Sequence, residues 1–185
     1  MRFRNGPQGY GLVTKTLHWL TVAALAGQFT IGYSMTRADN LLEGAVDRWL
    51  GGEESRLLMV HAGLGVGILV IAGLRVLWRA STPLPPWADG LSKVDRRVEY
   101  RVEQVLYWTL FLVPSTGLGL VLLSGEEWEL GGREWTAPWE LADVDLLLTA
   151  HIATHVVFFA ALLIHVGLVL KHQLIDRDRL LNRML

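Results

Sequence analysis

Histidines occur in this chain among residues that are typical of a membrane helix. The stretch HIATHVVFFAALLIH, residues 151–165, contains three of them, and His18 and His61 lie in similar apolar runs. An ionisable side chain inside lipid is costly, so its presence there indicates a function. Neutral imidazole is a ligand for metals, including haem iron, and it also carries protons. These histidines are therefore the first candidates for chemistry.

The apolar residues that surround the histidines are gathered into four runs. Hydrophobic residues make up 51% of the 185 residues, and the mean hydropathy of +0.33 is too high for an ordinary soluble domain. A run of about 20 residues crosses a hydrocarbon core as a helix, which satisfies all of its own backbone groups. The sequence predicts an all-α integral membrane four-helix bundle that forms a single domain over residues 1–185, with spans at about 17–35, 57–78, 105–123 and 147–170.

The charges outside the runs predict the orientation. Four spans put both termini and the 79–104 loop on one side of the membrane. That side carries twelve of the 17 basic residues, and the opposite side carries four, Arg37, Arg48, Arg56 and Arg133. The positive-inside rule therefore predicts cytoplasmic termini and a multi-pass protein of the bacterial cytoplasmic (inner) membrane. The 124–146 segment, with Trp128, Trp135 and Trp139, is expected to lie along the outer interface.

The lack of cysteine and the small net charge exclude several kinds of cofactor and partner. The chain has no cysteine, which excludes disulfides, thioether-attached haem and cysteine-ligated iron–sulfur clusters. A net charge of −1 argues against a nucleic acid or another polyanion as a partner. The expected surroundings of the protein are the lipid bilayer and its small redox carriers.

Depth sorts four of the histidines into two pairs. His18 lies near the cytoplasmic end of the first run and His165 near the same end of the fourth; His61 and His151 lie near the outer ends of theirs. We call His61 and His151 the outer pair, and His18 and His165 the inner pair. Fourteen helical residues separate His151 from His165, which returns the direction to within about 40° and spans about 21 Å. This spacing predicts two stacked bis-histidine haem sites. Proton transfer or hydrogen bonds across helices, without a metal, are the alternative.

Five further residues are candidates for supporting roles. Arg75 follows His61 by the same fourteen residues, and its charge must be paired with a haem propionate or extended to the interface. His155 lies one turn from His151 and is the alternative outer ligand. His172 lies at the cytoplasmic boundary, either as an interface residue or as a propionate or quinone contact. Lys15 and Arg79 could join His172 in a quinone site at that end.

The ordered motifs resemble the bacterial cytochrome b561 family. They are TLHWL in the first run, VHAGLG followed by Arg75, PSTGL in the third run, the H-x13-H pair of the fourth and LLNRML at the end. The resemblance implies a four-helix bundle, often a homodimer, with two non-covalent b-type haems bound by His18, His61, His151 and His165. His155 is an addition to the family pattern.

This resemblance implies an electron-transport function. With histidine at both axial positions, haem iron exchanges single electrons and has no open site for other chemistry. The expected function is a respiratory-chain oxidoreductase that exchanges electrons with the quinone pool, as ubiquinone or menaquinone, and the family also implies oxidation of superoxide. The acidic outer loops argue against steering that anion, unless Arg37, Arg56 or Arg133 offsets them. The alternative is a haem b membrane anchor that serves a partner dehydrogenase or reductase.

Overall fold

The computed structural model describes residues 2–7, 9–36, 54–87, 91–178 and 180–185. Within these residues the chain forms four long α-helices, a β-hairpin and a short irregular tail. The helices are α1 (Leu12–Thr36), α2 (Glu54–Ser81), α3 (Lys93–Leu123) and α4 (Val144–Leu170). The prediction of an all-α membrane bundle is confirmed. Three of the basic residues counted in the prediction of the orientation, Arg37, Arg48 and Arg179, lie outside the described residues.

Length and composition make three of the described helices able to cross a membrane: Ser55–Ser81, Lys93–Leu123 and Val144–Asp176. Helix α1 is 25 residues long and carries polar side chains along its length, among them Lys15 and Gln28. Large apolar side chains project outward from the bundle, with Val156 64% exposed and Leu163 73% exposed. Such a surface suits lipid and would be unfavourable in water.

Polar caps define the beginnings of α3 and α4. The Ser92 hydroxyl oxygen accepts a hydrogen bond from the Asp95 backbone N–H, and the Asp95 carboxylate accepts one from that hydroxyl. Asp143 caps α4 by accepting from the backbone N–H groups of Asp145 and Leu146. Both caps satisfy N–H groups that the first helical turn leaves without partners. The third helix therefore begins well before the predicted span at 105.

Neighbouring helices pack in chain order, α1 on α2, α2 on α3 and α3 on α4. Ile68 and Ala72 of α2 are almost fully buried against Leu110 of α3, where the small alanine allows a close approach. Helix α4 meets α1 through larger side chains, since the Phe29 ring contacts those of Phe158 and Phe159 at 5.2 and 4.5 Å between centroids. These large side chains keep α1 and α4 apart, and the histidines lie between the helices.

The outer connection between α3 and α4 contains a β-hairpin that the sequence analysis did not foresee. Strands β1 (Glu127–Leu130) and β2 (Arg133–Thr136) are antiparallel, with Trp128 opposite Trp135. Gly131 and Gly132 form the turn with φ of 59° and 78°, a conformation that favours glycine. The Gly131 N–H donates to the Ser55 carbonyl at 3.1 Å, which fixes the hairpin tip to the start of α2.

The tail after α4 returns to the start of α1. A π-helical turn (Lys171–Asp176) leads through Arg177, whose φ is 55°, to a 3-10 turn (Leu180–Arg183). The Trp19 indole N–H then donates to the Met184 carbonyl at 3.0 Å, and the Lys15 ammonium donates to the Leu185 backbone oxygen. These contacts close the bundle at the end that holds the inner pair.

The outward face of α4 makes a testable prediction. Val156→Arg places a charge near the middle of that helix and should raise its apparent free energy of membrane insertion by about 2.5–3.5 kcal/mol. Insertion of α4 in a reporter fusion measures the change. Leu141→Arg is the matched control, because Leu141 is 72% exposed but precedes the helix. Equal insertion of both variants would contradict a membrane-spanning α4 with Val156 near its middle.

Candidate functional site

The structure brings together both predicted histidine pairs. His61 of α2 faces His151 of α4, with 6.5 Å between ring centroids and an angle of 89° between ring planes. His18 of α1 faces His165 of α4, with 6.4 Å between centroids and an angle of 58°. Helix α4 therefore contributes one imidazole to each pair, and α1 and α2 contribute the others.

These separations fit a metal ion held between the two rings. A metal–imidazole bond of about 2.0–2.1 Å, with a ring centre about 1.1 Å behind the nitrogen, gives about 6.3 Å between the centres of two opposed ligands. Both observed separations are within a few tenths of an ångström of that value. Neutral imidazoles opposed in this way are the usual axial ligands of an electron-transfer haem.

A cavity of about 620 Å³ adjoins the outer pair. Its size is in the range of cofactor pockets. His61, His151, Gln28 and Trp128 are among the residues that line it. Three of their buried polar atoms, Gln28 Oε1, His61 Nδ1 and Trp128 Nε1, have no hydrogen-bond partner within the described part of the chain. Buried polar atoms rarely remain unpaired, so this cavity fits a bound group with polar substituents.

Two glycines make room for the outer rings. A Cβ atom on Gly32 of α1 would lie 2.9 Å from His61 Cε1, and one on Gly117 of α3 would lie 2.8 Å from His151 Cε1. Either distance is too short for two carbon atoms in van der Waals contact. Each imidazole thus packs directly on the backbone of a neighbouring helix, which holds the ring in place.

Hydrogen bonds differ between the outer histidines. The Gln28 amide nitrogen lies 3.0 Å from His61 Nε2, and the Thr116 hydroxyl lies 3.0 Å from His151 Nδ1. His155 makes ring contacts with His151 at 4.3 Å and with Phe29 at 5.2 Å. His155 therefore lines the cavity beside His151, whereas His151 faces His61.

Arg75 lies close to the inner pair. Its Nη1 donates to the Thr21 hydroxyl at 3.0 Å, and its guanidinium carbon lies 5.4 Å from the centre of the Tyr107 ring. Its charge also acts on His18 and His165. No carboxylate among the described residues forms an ion pair with Arg75.

Lys15 and Arg79, the candidates for a quinone site with His172, each have a different partner. Arg79 forms a bidentate ion pair with Glu103 and lies 5.4 Å from the Tyr107 ring, and Lys15 is bonded to the tail. The structure thus shows Lys15 and Arg79 bound to different parts of the chain and not to a common group.

His172 is buried, with 3% of its side chain exposed. Its Nδ1 lies 2.7 Å from Asp178 Oδ2 and 3.1 Å from Asp176 Oδ2, while its Nε2 is buried with no partner among the described residues. Lys171, 2.9 Å from Asp176, adds positive charge to this carboxylate cluster. His172, which the sequence predicts at the cytoplasmic boundary, is therefore enclosed by other residues of the chain.

Sequence reasoning missed three residues of the outer site, Gln28, Thr116 and Trp128. Gln28 is a polar residue within an otherwise apolar part of the first run, which is a usable signal. Thr116 belongs to the PSTGL motif, but the motif alone assigns it no contact. Trp128 reaches the cavity only because the hairpin folds back over it, and nothing in the local sequence specifies that contact.

The fold is that of a membrane-embedded helical bundle, and its two opposed imidazole pairs have a spacing that fits a metal ion. The family model for prokaryotic cytochrome b561 matches residues 9–185. The chain therefore belongs to the prokaryotic cytochrome b561 family, whose members are membrane proteins that bind haem b and transfer electrons.

Two curated proteins are similar to this chain over almost their whole length. Cytochrome b561 homolog 2 of Escherichia coli is 28% identical over 191 residues, covering 100% of this chain and 95% of that protein. Cytochrome b562 of Cereibacter sphaeroides is 28% identical over 178 residues, covering 96% and 95%. The resemblance found in the motifs is confirmed.

The packing of Gly117 on His151 predicts a defect in haem binding. Gly117→Ala inserts a methyl group against the ring and should weaken haem retention by about 1–3 kcal/mol, which is the usual cost of overpacking. Haem b per polypeptide, measured on the purified protein, reports the loss.

Gly119→Ala in the same helix is the matched control. Its Cβ would meet Leu123 Cδ1 at an ordinary 3.8 Å, so haem content should stay at the wild-type level. Equal haem content in the two variants would contradict a tight fit between Gly117 and the His151 ring.

Proposed function

We propose that the chain binds two non-covalent haem b groups, one between His61 and His151 and one between His18 and His165. The observation that carries this proposal is the near-equal ring separation of the two pairs, 6.5 and 6.4 Å. When bound, bis-histidine haem b supplies reversible single-electron transfer. The four histidines would hold the two haems and would leave no position on either iron open to another ligand.

His151 rather than His155 is the proposed outer ligand. The His151 ring faces His61, packs on Gly117 and has the Thr116 hydroxyl at its Nδ1. Its other nitrogen, Nε2, is then available for iron. His155 contacts His151 and Phe29 from the side, so its proposed role is to shape the cavity wall.

Arg75 is proposed to bind a propionate of the inner haem. A guanidinium buried in a membrane bundle requires a counter-charge, and the described carboxylates provide none. The group lies close enough to act on both inner histidines. A carboxylate is its best partner because two parallel N–H···O bonds form at once.

The two sites together support electron transfer between the faces of the cytoplasmic membrane. His151 and His165 lie fourteen residues apart on α4, which separates the sites by about 21 Å along the helix. The charge distribution supports a cytoplasmic position for the inner pair. The exposed hairpin carries Glu127, Glu129 and Glu134 at the other end, and this charge favours a neutral redox carrier over superoxide.

Ubiquinone or menaquinone is the proposed carrier, bound near the inner pair. His172 is the candidate contact, because its Nδ1 is held by Asp178 while its buried Nε2 has no partner. A quinone oxygen that accepts or supplies a proton needs such a group within hydrogen-bond range.

Ligand assignment is tested by haem content and reduced-minus-oxidised spectra of His151→Ala and His155→Ala. The wild type should contain two haems per chain. His151→Ala should lose one, because iron loses an axial ligand, and His155→Ala should retain both. Loss of one haem from His155→Ala but not from His151→Ala would identify His155 as the outer ligand.

The quinone contact is tested by His172→Ala. Removal of the imidazole should slow quinol-dependent haem reduction several-fold, because the proton-transfer group is lost, while both haems remain. Stopped-flow reduction by a short-chain quinol measures the rate. Asn182→Ala, an exposed residue of the same tail, should behave as wild type. Loss of a haem from His172→Ala would refute the quinone role.

A further inference from the structure

Thr116 occupies the α3–α4 interface with four polar groups around its hydroxyl. Its Oγ1 lies 2.9 Å from the carbonyl oxygens of Leu112 and Val113, 3.0 Å from His151 Nδ1 and 3.3 Å from the Thr154 hydroxyl. The residue lies in the PSTGL motif, and the proposed function gives it no role of its own. Its surroundings determine which atom donates in each bond.

A count of protons assigns the His151 tautomer. A threonine hydroxyl has one proton, and a carbonyl oxygen only accepts, so the Thr116 proton goes to the preceding turn of α3. The Thr154 proton is taken by the His151 carbonyl at 2.7 Å. Toward the imidazole, Thr116 therefore offers a lone pair. His151 Nδ1 must carry the hydrogen, which leaves the lone pair of Nε2 free.

His61 has different polar contacts. The Gln28 amide reaches its Nε2, and its buried Nδ1 has no partner in the described part of the chain. The two outer histidines therefore differ: the Thr116 hydroxyl lies 3.0 Å from Nδ1 of His151, whereas an amide nitrogen, which can only donate, lies 3.0 Å from Nε2 of His61. A hydrogen bond on the outward N–H of a ligating histidine orients the ring and makes the metal-facing nitrogen more basic.

We propose that Thr116 is a positioning residue that holds His151 in the Nδ1–H tautomer and strengthens its bond to the outer haem iron. Gly117, the next residue, supports the ring face, so the two residues together set the ring's tautomer and rotation. Greater electron donation from the imidazole stabilises ferric iron, and Thr116 therefore lowers the reduction potential of the outer haem. This inference rests on the proposed outer haem site.

Thr116→Val tests it, since valine has nearly the shape of threonine without the hydroxyl. Loss of one hydrogen bond should raise the reduced-to-oxidised ratio of the outer haem at fixed potential by up to about tenfold, or about 59 mV for one electron. Spectroelectrochemical titration measures both haems, and His151→Ala identifies the outer one by its absence. Thr116→Ser keeps the hydroxyl and should restore the wild-type potential.

Thr109→Val is the matched control. Thr109 lies two turns earlier on α3 and is buried, and its hydroxyl donates to the Leu106 carbonyl at 3.0 Å without an imidazole partner. This variant loses the same kind of backbone bond and should leave both potentials unchanged. An unchanged outer potential in Thr116→Val would overturn the inference, as would an equal shift in Thr109→Val or Thr116→Ser.

A second readout separates this inference from the proposed function. Nitrogen-15 NMR of histidine-labelled full-length protein, recorded under reducing conditions, reports the His151 tautomer whether or not haem is bound at the outer pair. The Nδ1–H form in the wild type, with loss or weakening of its hydrogen bond in Thr116→Val, supports the inference. The Nε2–H form in the wild type overturns it. Absence of haem from the outer pair refutes the proposed function and, with it, the effect on the potential, and leaves only the tautomer assignment standing.

Discussion

The fourteen-residue interval on α4 is the constraint on which the rest of the bundle depends. Fourteen residues complete nearly four helical turns, so His151 and His165 point into the same interior about 21 Å apart. Each then needs an opposed imidazole at its own depth. The chain supplies His18 early in α1 and His61 early in α2, and these two helices run in opposite directions, so their first turns lie at opposite ends. The 6.5 and 6.4 Å ring separations follow from this topology.

Close packing holds the imidazole rings at that separation. Polar groups around the cavity are suited to a bound cofactor. Gly32 and Gly117 let helix backbones touch the imidazoles directly, and Thr116 supplies a hydroxyl to one of them. The unpaired atoms of Gln28, His61 and Trp128 concentrate at one cavity, where an apolar bundle would otherwise have no reason to bury them. At the other end, His172 Nδ1 contacts Asp178 and Arg79 pairs with Glu103, while the buried Nε2 of His172 has no partner among the described residues.

The sequence predicted what depends on periodicity and missed what depends on distant contacts. Apolar runs and the interval between histidines predicted the bundle and both ring pairs, because lipid permits few other arrangements for a backbone. The hairpin was missed although Gly131–Gly132 between two short alternating segments is a turn signal. Burial of His172 was also missed: the π-helical turn and the left-handed Arg177 bring Asp178 back to the imidazole, and apolar periodicity does not report such a turn.

The most direct measurement of the central claim is the axial ligation of every haem in the wild-type protein. Near-infrared magnetic circular dichroism of the oxidised protein distinguishes bis-imidazole haem from other ligand sets, and quantitative haem analysis counts the groups per chain. The account predicts two haem b per polypeptide, both with bis-histidine ligation. A single haem per chain, or a second haem with any other axial ligand, would contradict the assignment of one iron to each of the two histidine pairs.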